Sequence, residues 1–187
     1  MDYLKPLLLR SMITKEVRES VFQKPIVHIA CDTRESSKRL VEAVKEGLGC
    51  LGMEFIDHGL LTTPQLHYIT ANHDKSYRSS DYLKNMTEAY IAFTKLSESQ
   101  GKKAKPHIVL DCANGVGAIP MQEISKVLEP YIKIEMINTN IDDPSKLNEG
   151  CGAEWVHKEQ TEPTEMTSAM PKRVACFDGD ADRLIYF

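Results

Sequence analysis

PIVHIACDTRESSKRLVEAVKEGLGCLGMEFIDHG, residues 25–59, decides the fold. Pro25 to Ala30 is a short apolar run that ends in Cys31-Asp32-Thr33-Arg34. Ser36 and Ser37 can cap a helix that runs to about Gly49, with Leu40, Val41, Val44 and Leu48 on one face. Met53 to Ile56 reads as a second strand, closed by Asp57-His58-Gly59. Two strands joined by a helix of this length lie parallel, so the chain begins an α/β fold.

Working outward, Leu61-Thr62-Thr63-Pro64 starts another helix, with Thr62 or Thr63 as cap and Pro64 in the first turn. Residues 72–81 are polar and loop-like. A long amphipathic helix follows from about Tyr82 to Ser97, with Leu83, Met86, Tyr90, Phe93 and Leu96 expected inward. Ser97 to Pro106 is polar and lysine-rich, the composition of a domain boundary, with Lys102, Lys103 and Lys105 read as a solvated linker. The β/α pattern then restarts. His107 to Leu110 is a strand, Asp111-Cys112-Ala113-Asn114-Gly115-Val116-Gly117-Ala118 a turn into a helix, and Tyr131 to Ile137 a second strand. Residues 138–152 and 161–170 read as connections, and Arg173 to Phe177 as the strand that delivers the chain to an acidic run. Leu184 to Phe187 begins one more strand at the end of the sequence, so a truncated C-terminus is expected there.

Composition excludes several classes. Hydrophobic residues make up 42% of the 187 and charged residues 27%, which suits a globular core. A net charge of −4 gives no electrostatic reason to bind nucleic acid. The five cysteines are odd in number and widely spaced, with no C-x-x-C pair, so free thiols in a reducing compartment are expected. Leu7-Leu8-Leu9 is too brief for a signal-peptide core, and no segment approaches the roughly 20 apolar residues of a membrane span. A cytoplasmic protein without membrane or nucleic-acid partners is the expectation. The six histidines show no metal-ligand spacing and read as structural or surface groups, and the single tryptophan, Trp155, as a core or domain-contact residue.

Asp178-Gly179-Asp180-Ala181-Asp182-Arg183 carries the chemistry. Carboxylates at every second position of a tight loop can converge on one hard cation, because Gly179 and Ala181 leave the backbone free to curl. Without a cation, three such groups repel. Oxygen-only donors favour Mg²⁺, Ca²⁺ or Mn²⁺ over zinc. An EF-hand is excluded, since its sixth position must be Gly and is Arg183 here. Two rivals stay open. Asp178 could be the nucleophile of a metal-dependent aspartyl-phosphate phosphatase, although Asp182 stands where that class takes Thr or Val. The chain could also be a non-catalytic remnant that binds only a metal or a partner. Asn114, Gly115 and Gly117 form a structural turn rather than a P-loop, for no Gly-Lys-Ser/Thr follows, and Arg34, at a strand end near a helix start, reads as a packing or capping residue with contact to a phosphate as the alternative.

Four motifs in order, CDTRESS, GLLTTPQLHY (Gly59 to Tyr68), DCANGVGA and FDGDADR, resemble the α-D-phosphohexomutase superfamily. Gly59 to Tyr68 and Lys146-Leu147-Asn148 with Cys151-Gly152-Ala153 resemble its phosphoacetylglucosamine mutase branch. The resemblance implies mixed sheets flanked by helices, with residues 1–100 a partial first domain and 101–187 most of a second. It implies an isomerase that interconverts N-acetylglucosamine 6-phosphate and 1-phosphate through a phosphoserine, on the way to UDP-N-acetylglucosamine. It implies that Asp178, Asp180 and Asp182 hold Mg²⁺ and that Arg183 faces the phosphoryl group. The family's serine loop, T-A-S-H-N-P, has no match. Thr70-Ala71-Asn72-His73-Asp74 puts Asn72 at the serine position, and Ala30-Cys31 replaces the usual Gly-Arg before Asp32. The chain alone is therefore expected to be inactive as a mutase.

Overall fold

The computed structural model describes residues 25–72, 76–101, 105–171 and 173–186. Leu7 to Leu9, His73, Asp74, Lys102, Lys103 and Phe187 lie outside them.

The opening unit forms as its sequence requires. Strand β1 (Ile26–Cys31) and β2 (Glu54–Leu60) pair in parallel, with helix α1 (Ser37–Leu51) as the crossover. Ser36 is the N-cap by position but makes no side-chain cap bond, and the Ser37 hydroxyl donates instead to Asp32 Oδ1 at 2.7 Å. Gly52 ends the helix at φ 66°, a left-handed turn that favours glycine. β2 runs further than its apolar stretch. Asp57-His58-Gly59 continue the strand, with a register irregularity between Ile29 and Cys31.

Helix α2 (Thr63–Ala71) starts at a capping box. The Thr62 hydroxyl accepts from the Gln65 amide while Gln65 Oε1 accepts from the Thr62 amide, and both residues are buried. Helix α3 (Ser79–Ser99) is longer at both ends than its pattern indicated, and its expected inward face is only partly covered. Leu83 and Thr87 are buried, but Met86, Phe93 and Leu96 are 50–69% exposed. Helical period reveals a stripe, not what covers it.

The second sheet holds the core. Its order is β4 (Lys133–Ile137), β3 (His107–Asp111), β5 (Val174–Phe177), β6 (Leu184–Tyr186). β3 is parallel to β4 and β5, and β6 is antiparallel to β5, so this sheet is mixed. Helix α4 (Ala118–Leu128) connects β3 to β4 and covers Leu110, Cys112 and Ala175 on one face. Helix α5 (Gly152–Glu159), which its sequence pattern did not reveal, covers Val109, Ile137, Val174 and Cys176 on the other. Trp155 packs partly buried against that second cluster, as expected of a core residue. Mixed α/β layers thus agree with the fold class read from the sequence.

β3 sends its connection toward β4, whereas β5 lies on its other side. The loops after β3 and β5 therefore leave adjacent strands at the carboxyl edge in different directions. In open α/β sheets that crevice is where ligands bind. Residues 178–183 occupy it.

Candidate metal centre

Strand β5 presents Asp178 at its end. Asp178 is 2% exposed, and its two oxygens accept from Arg183: Oδ1 from the backbone amide at 3.1 Å, Oδ2 from Nε at 2.8 Å. Burial alone would push this carboxyl up, but the Arg183 bonds outweigh it and hold it below its ordinary value. The loop closes through Ala181 N–H to the Asp178 carbonyl, 3.1 Å. Its left-handed residue is Ala181, at φ 58°, and not Gly179. For an L-residue that conformation costs about 1 kcal/mol or more, so neighbouring contacts must enforce it.

Those contacts come from the turn after β3. Val116 donates its amide to the Gly179 carbonyl at 3.1 Å. A Cβ on Gly115 would lie 2.4 Å from that same oxygen, and one on Gly117 would press on Ala181 and Phe177. Gly179 in turn faces Leu147 and Asn148. The glycines of Asp111–Ala118 are therefore spacers that admit the acidic loop, a structural use that agrees with reading the turn as no P-loop.

Beneath both loops lies Asp111, fully buried. Its carboxylate accepts from Ala113 N at 2.9 Å, Gly152 N at 2.5 Å and Asn138 Nδ2 at 3.0 Å. It thereby ties together the ends of β3 and β4 and the start of α5. Burial pushes its carboxyl up despite these donors. Asn114, with its side chain on Lys146 O (3.1 Å) and Asn140 N (3.0 Å), pins the facing loop. Sequence reading missed Asp111 as a hub, since nothing local marks a carboxylate as buried.

The three aspartates of the run come together. One oxygen from each of Asp178, Asp180 and Asp182 lies within 4.8 Å of the others. Their burial grades from buried through half-buried to exposed. Burial and then the charges of Asp180 and Asp178 push the Asp182 carboxyl up, the signature of anions sharing a site. Around an octahedral cation with oxygens at about 2.1 Å, neighbouring ligands sit about 3 Å apart and opposed ones about 4.2 Å, so three oxygens gathered this closely would have to draw inward to share one cation. An all-oxygen donor set of this kind fits Mg²⁺ or Mn²⁺.

Arg183 is tied to Asp178, with Glu154 3.8 Å away, and its side chain is 55% exposed. Arg34 pairs with Asp32 while its side chain stays half exposed. It also lines, with Ser37, Thr62, Thr63 and Asp180, a cleft of about 320 Å³ between the two sheets. Asp178 is 2% exposed with one Arg183 hydrogen bond on each oxygen, which leaves each oxygen a lone pair for a cation. The histidines hold one surprise: His28 Nδ1 and His58 Nε2 are 2.9 Å apart on adjacent strands, a pairing that a separation of 30 residues conceals.

Residues 7–108 match the family model for phosphoglucomutase/phosphomannomutase, alpha/beta/alpha domain I. Residues 61–185 match that for phosphoacetylglucosamine mutase AMG1, domain II. The fold and its acidic loop thus define a protein of the α-D-phosphohexomutase class. A phosphoacetylglucosamine mutase of Schizosaccharomyces pombe is 40% identical over 167 residues, 86% of this chain and 30% of that protein. The Homo sapiens mutase is 33% identical over 180 residues, 94% and 33% of the respective chains. The crystal structure of Aspergillus fumigatus N-acetylphosphoglucosamine mutase in complex with GlcNAc-6P and magnesium superposes with a TM-score of 0.74 at 29% identity, over 94% of this chain and 38% of that one. This chain belongs to the phosphoacetylglucosamine mutase family. It spans about a third of the length of the curated relatives it matches.

Proposed function

We propose that these residues form the metal-loop third of a phosphoacetylglucosamine mutase, an isomerase that interconverts N-acetylglucosamine 6-phosphate and 1-phosphate. The observation that carries this reading is the convergence of three carboxylate oxygens at the carboxyl edge of the second sheet. Asp178, Asp180 and Asp182 would hold Mg²⁺, which when bound supplies positive charge against a phosphoryl group under transfer. Arg183 fixes Asp178 with its Nε, and its side chain, more than half exposed, would offer the other guanidinium N–H groups to phosphate oxygens. The phosphoserine belongs to a loop with no match in these 187 residues. A division near residue 101, between a partial first domain and a second domain, is supported by the separate sheets and by the restart of the β/α pattern at His107. A cytoplasmic location fits five free cysteines. No helix among the described residues is long and apolar enough to cross a membrane.

The test grafts residues 1–187 in place of the equivalent third of a relative and follows N-acetylglucosamine 6-phosphate in a coupled assay. The graft is expected to turn over, and Asp180→Ala in it to lower kcat by about 10²-fold or more, the scale for losing one preorganised electrostatic group. An Asp180→Ala graft as active as its parent would contradict the assignment.

A further inference from the structure

The middle carboxylate of the acidic loop is held from the start of helix α2, which follows the first sheet. Thr63, the first residue of α2, donates its hydroxyl to Asp180 Oδ2 at 2.5 Å and its amide to the Asp180 carbonyl at 3.0 Å. The two residues are 117 positions apart. Among the described residues, no other group donates to the Asp180 side chain.

Thr63 has little freedom of its own. Thr62 and Gln65 lock the preceding residue in the capping box, and both are 4% exposed. Pro64 presets the backbone after it. Leu61 donates its amide to the Cys31 carbonyl at 3.2 Å, fastening the approach to the end of β1. A donor so anchored, at a side chain and a carbonyl of one residue, removes both the rotation of the Asp180 carboxylate and the wander of its backbone. Asp178 is oriented within its own loop by Arg183. Asp180 is oriented by Thr63.

We infer that Thr63 is a positioning residue for the metal centre: it aims the Asp180 carboxylate so that the three oxygens converge, and it makes cation affinity depend on the docking of α2 against the acidic loop. Thr63 is not itself a ligand. The inference rests on the metal reading above. Losing a hydrogen bond to a charged group that presets a ligand weakens the cation complex without touching the core, because Thr63 is exposed.

Mn²⁺ titration of the 187-residue chain, read by electron paramagnetic resonance, tests it. Thr63→Val keeps the shape and loses the hydroxyl, and should weaken Mn²⁺ binding by about tenfold. Thr63→Ser keeps the hydroxyl and should bind within about twofold of the parent. Both variants should melt with the parent in EDTA, so that a loss confined to Mn²⁺ separates positioning from mere stability. Equal affinity of Thr63→Val and parent overturns this inference alone, as does a loss that Thr63→Ser shares. Failure of the parent chain to bind Mn²⁺ overturns the metal reading along with it.

Discussion

Gly115→Ala should unseat the acidic loop and cost about 2–4 kcal/mol of stability in urea denaturation, together with most of the divalent-cation affinity. The added Cβ would sit 2.4 Å from the Gly179 carbonyl oxygen and 2.8 Å from its Cα. Both are backbone atoms, so relief requires the loop itself to move. Moving it breaks the hydrogen bond from the Val116 amide to the Gly179 carbonyl and loosens the enforced left-handed Ala181 two residues on. Gly47→Ala is the internal control. Gly47 lies inside α1, and a Cβ there meets nothing within 4 Å. The same substitution should raise stability by about 0.5–1 kcal/mol, since alanine loses less backbone entropy than glycine in a helix. Opposite signs at two glycines would show that approach to the loop decides the cost; a Gly115→Ala protein as stable as its parent would refute the packing argument.

Asp111→Ala should be at least as damaging. It leaves the amides of Ala113 and Gly152 and the Asn138 amide nitrogen without their acceptor at the centre of the fold. Each buried donor left unpaired costs about 1–3 kcal/mol, partly relieved by any water that enters, so a total near 3–5 kcal/mol is expected from the denaturation midpoint. Asp111→Asn keeps an acceptor oxygen and should lose about half as much. A chain that tolerates Asp111→Ala within about 1 kcal/mol would show that the hub contributes nothing of its own.

What could be read from the sequence was local. The alternating carboxylates sit within five consecutive residues, so their approach follows from backbone geometry, and Thr62 or Thr63 before Pro64 marks a helix start that the fold places with Thr62 as the cap. The strand–helix–strand unit was legible because apolar runs of the right length flank one helical stripe. What escaped is non-local. Thr63 meets Asp180 across 117 residues, and His28 meets His58 across adjacent strands. Helix α5 hid in eight residues that begin with a glycine and contain few apolar positions. The stripe on α3 was real, but its distal residues Phe93 and Leu96 find no cover among the described residues. Gly179 and Ala181 both read as residues that free the loop to curl; Ala181 takes the unusual backbone, while the missing side chain of Gly179 lets Leu147 and Asn148 approach. A glycine can serve space or conformation, and the sequence does not distinguish them.

Diffraction at the manganese edge from crystals of this chain grown with Mn²⁺ tests the metal claim most directly. The account predicts one anomalous peak at the end of β5, within coordination distance of an oxygen from each of Asp178, Asp180 and Asp182, and no such peak in Asp180→Ala. Carboxylates turned apart toward solvent, with no peak between them at saturating Mn²⁺, would contradict it.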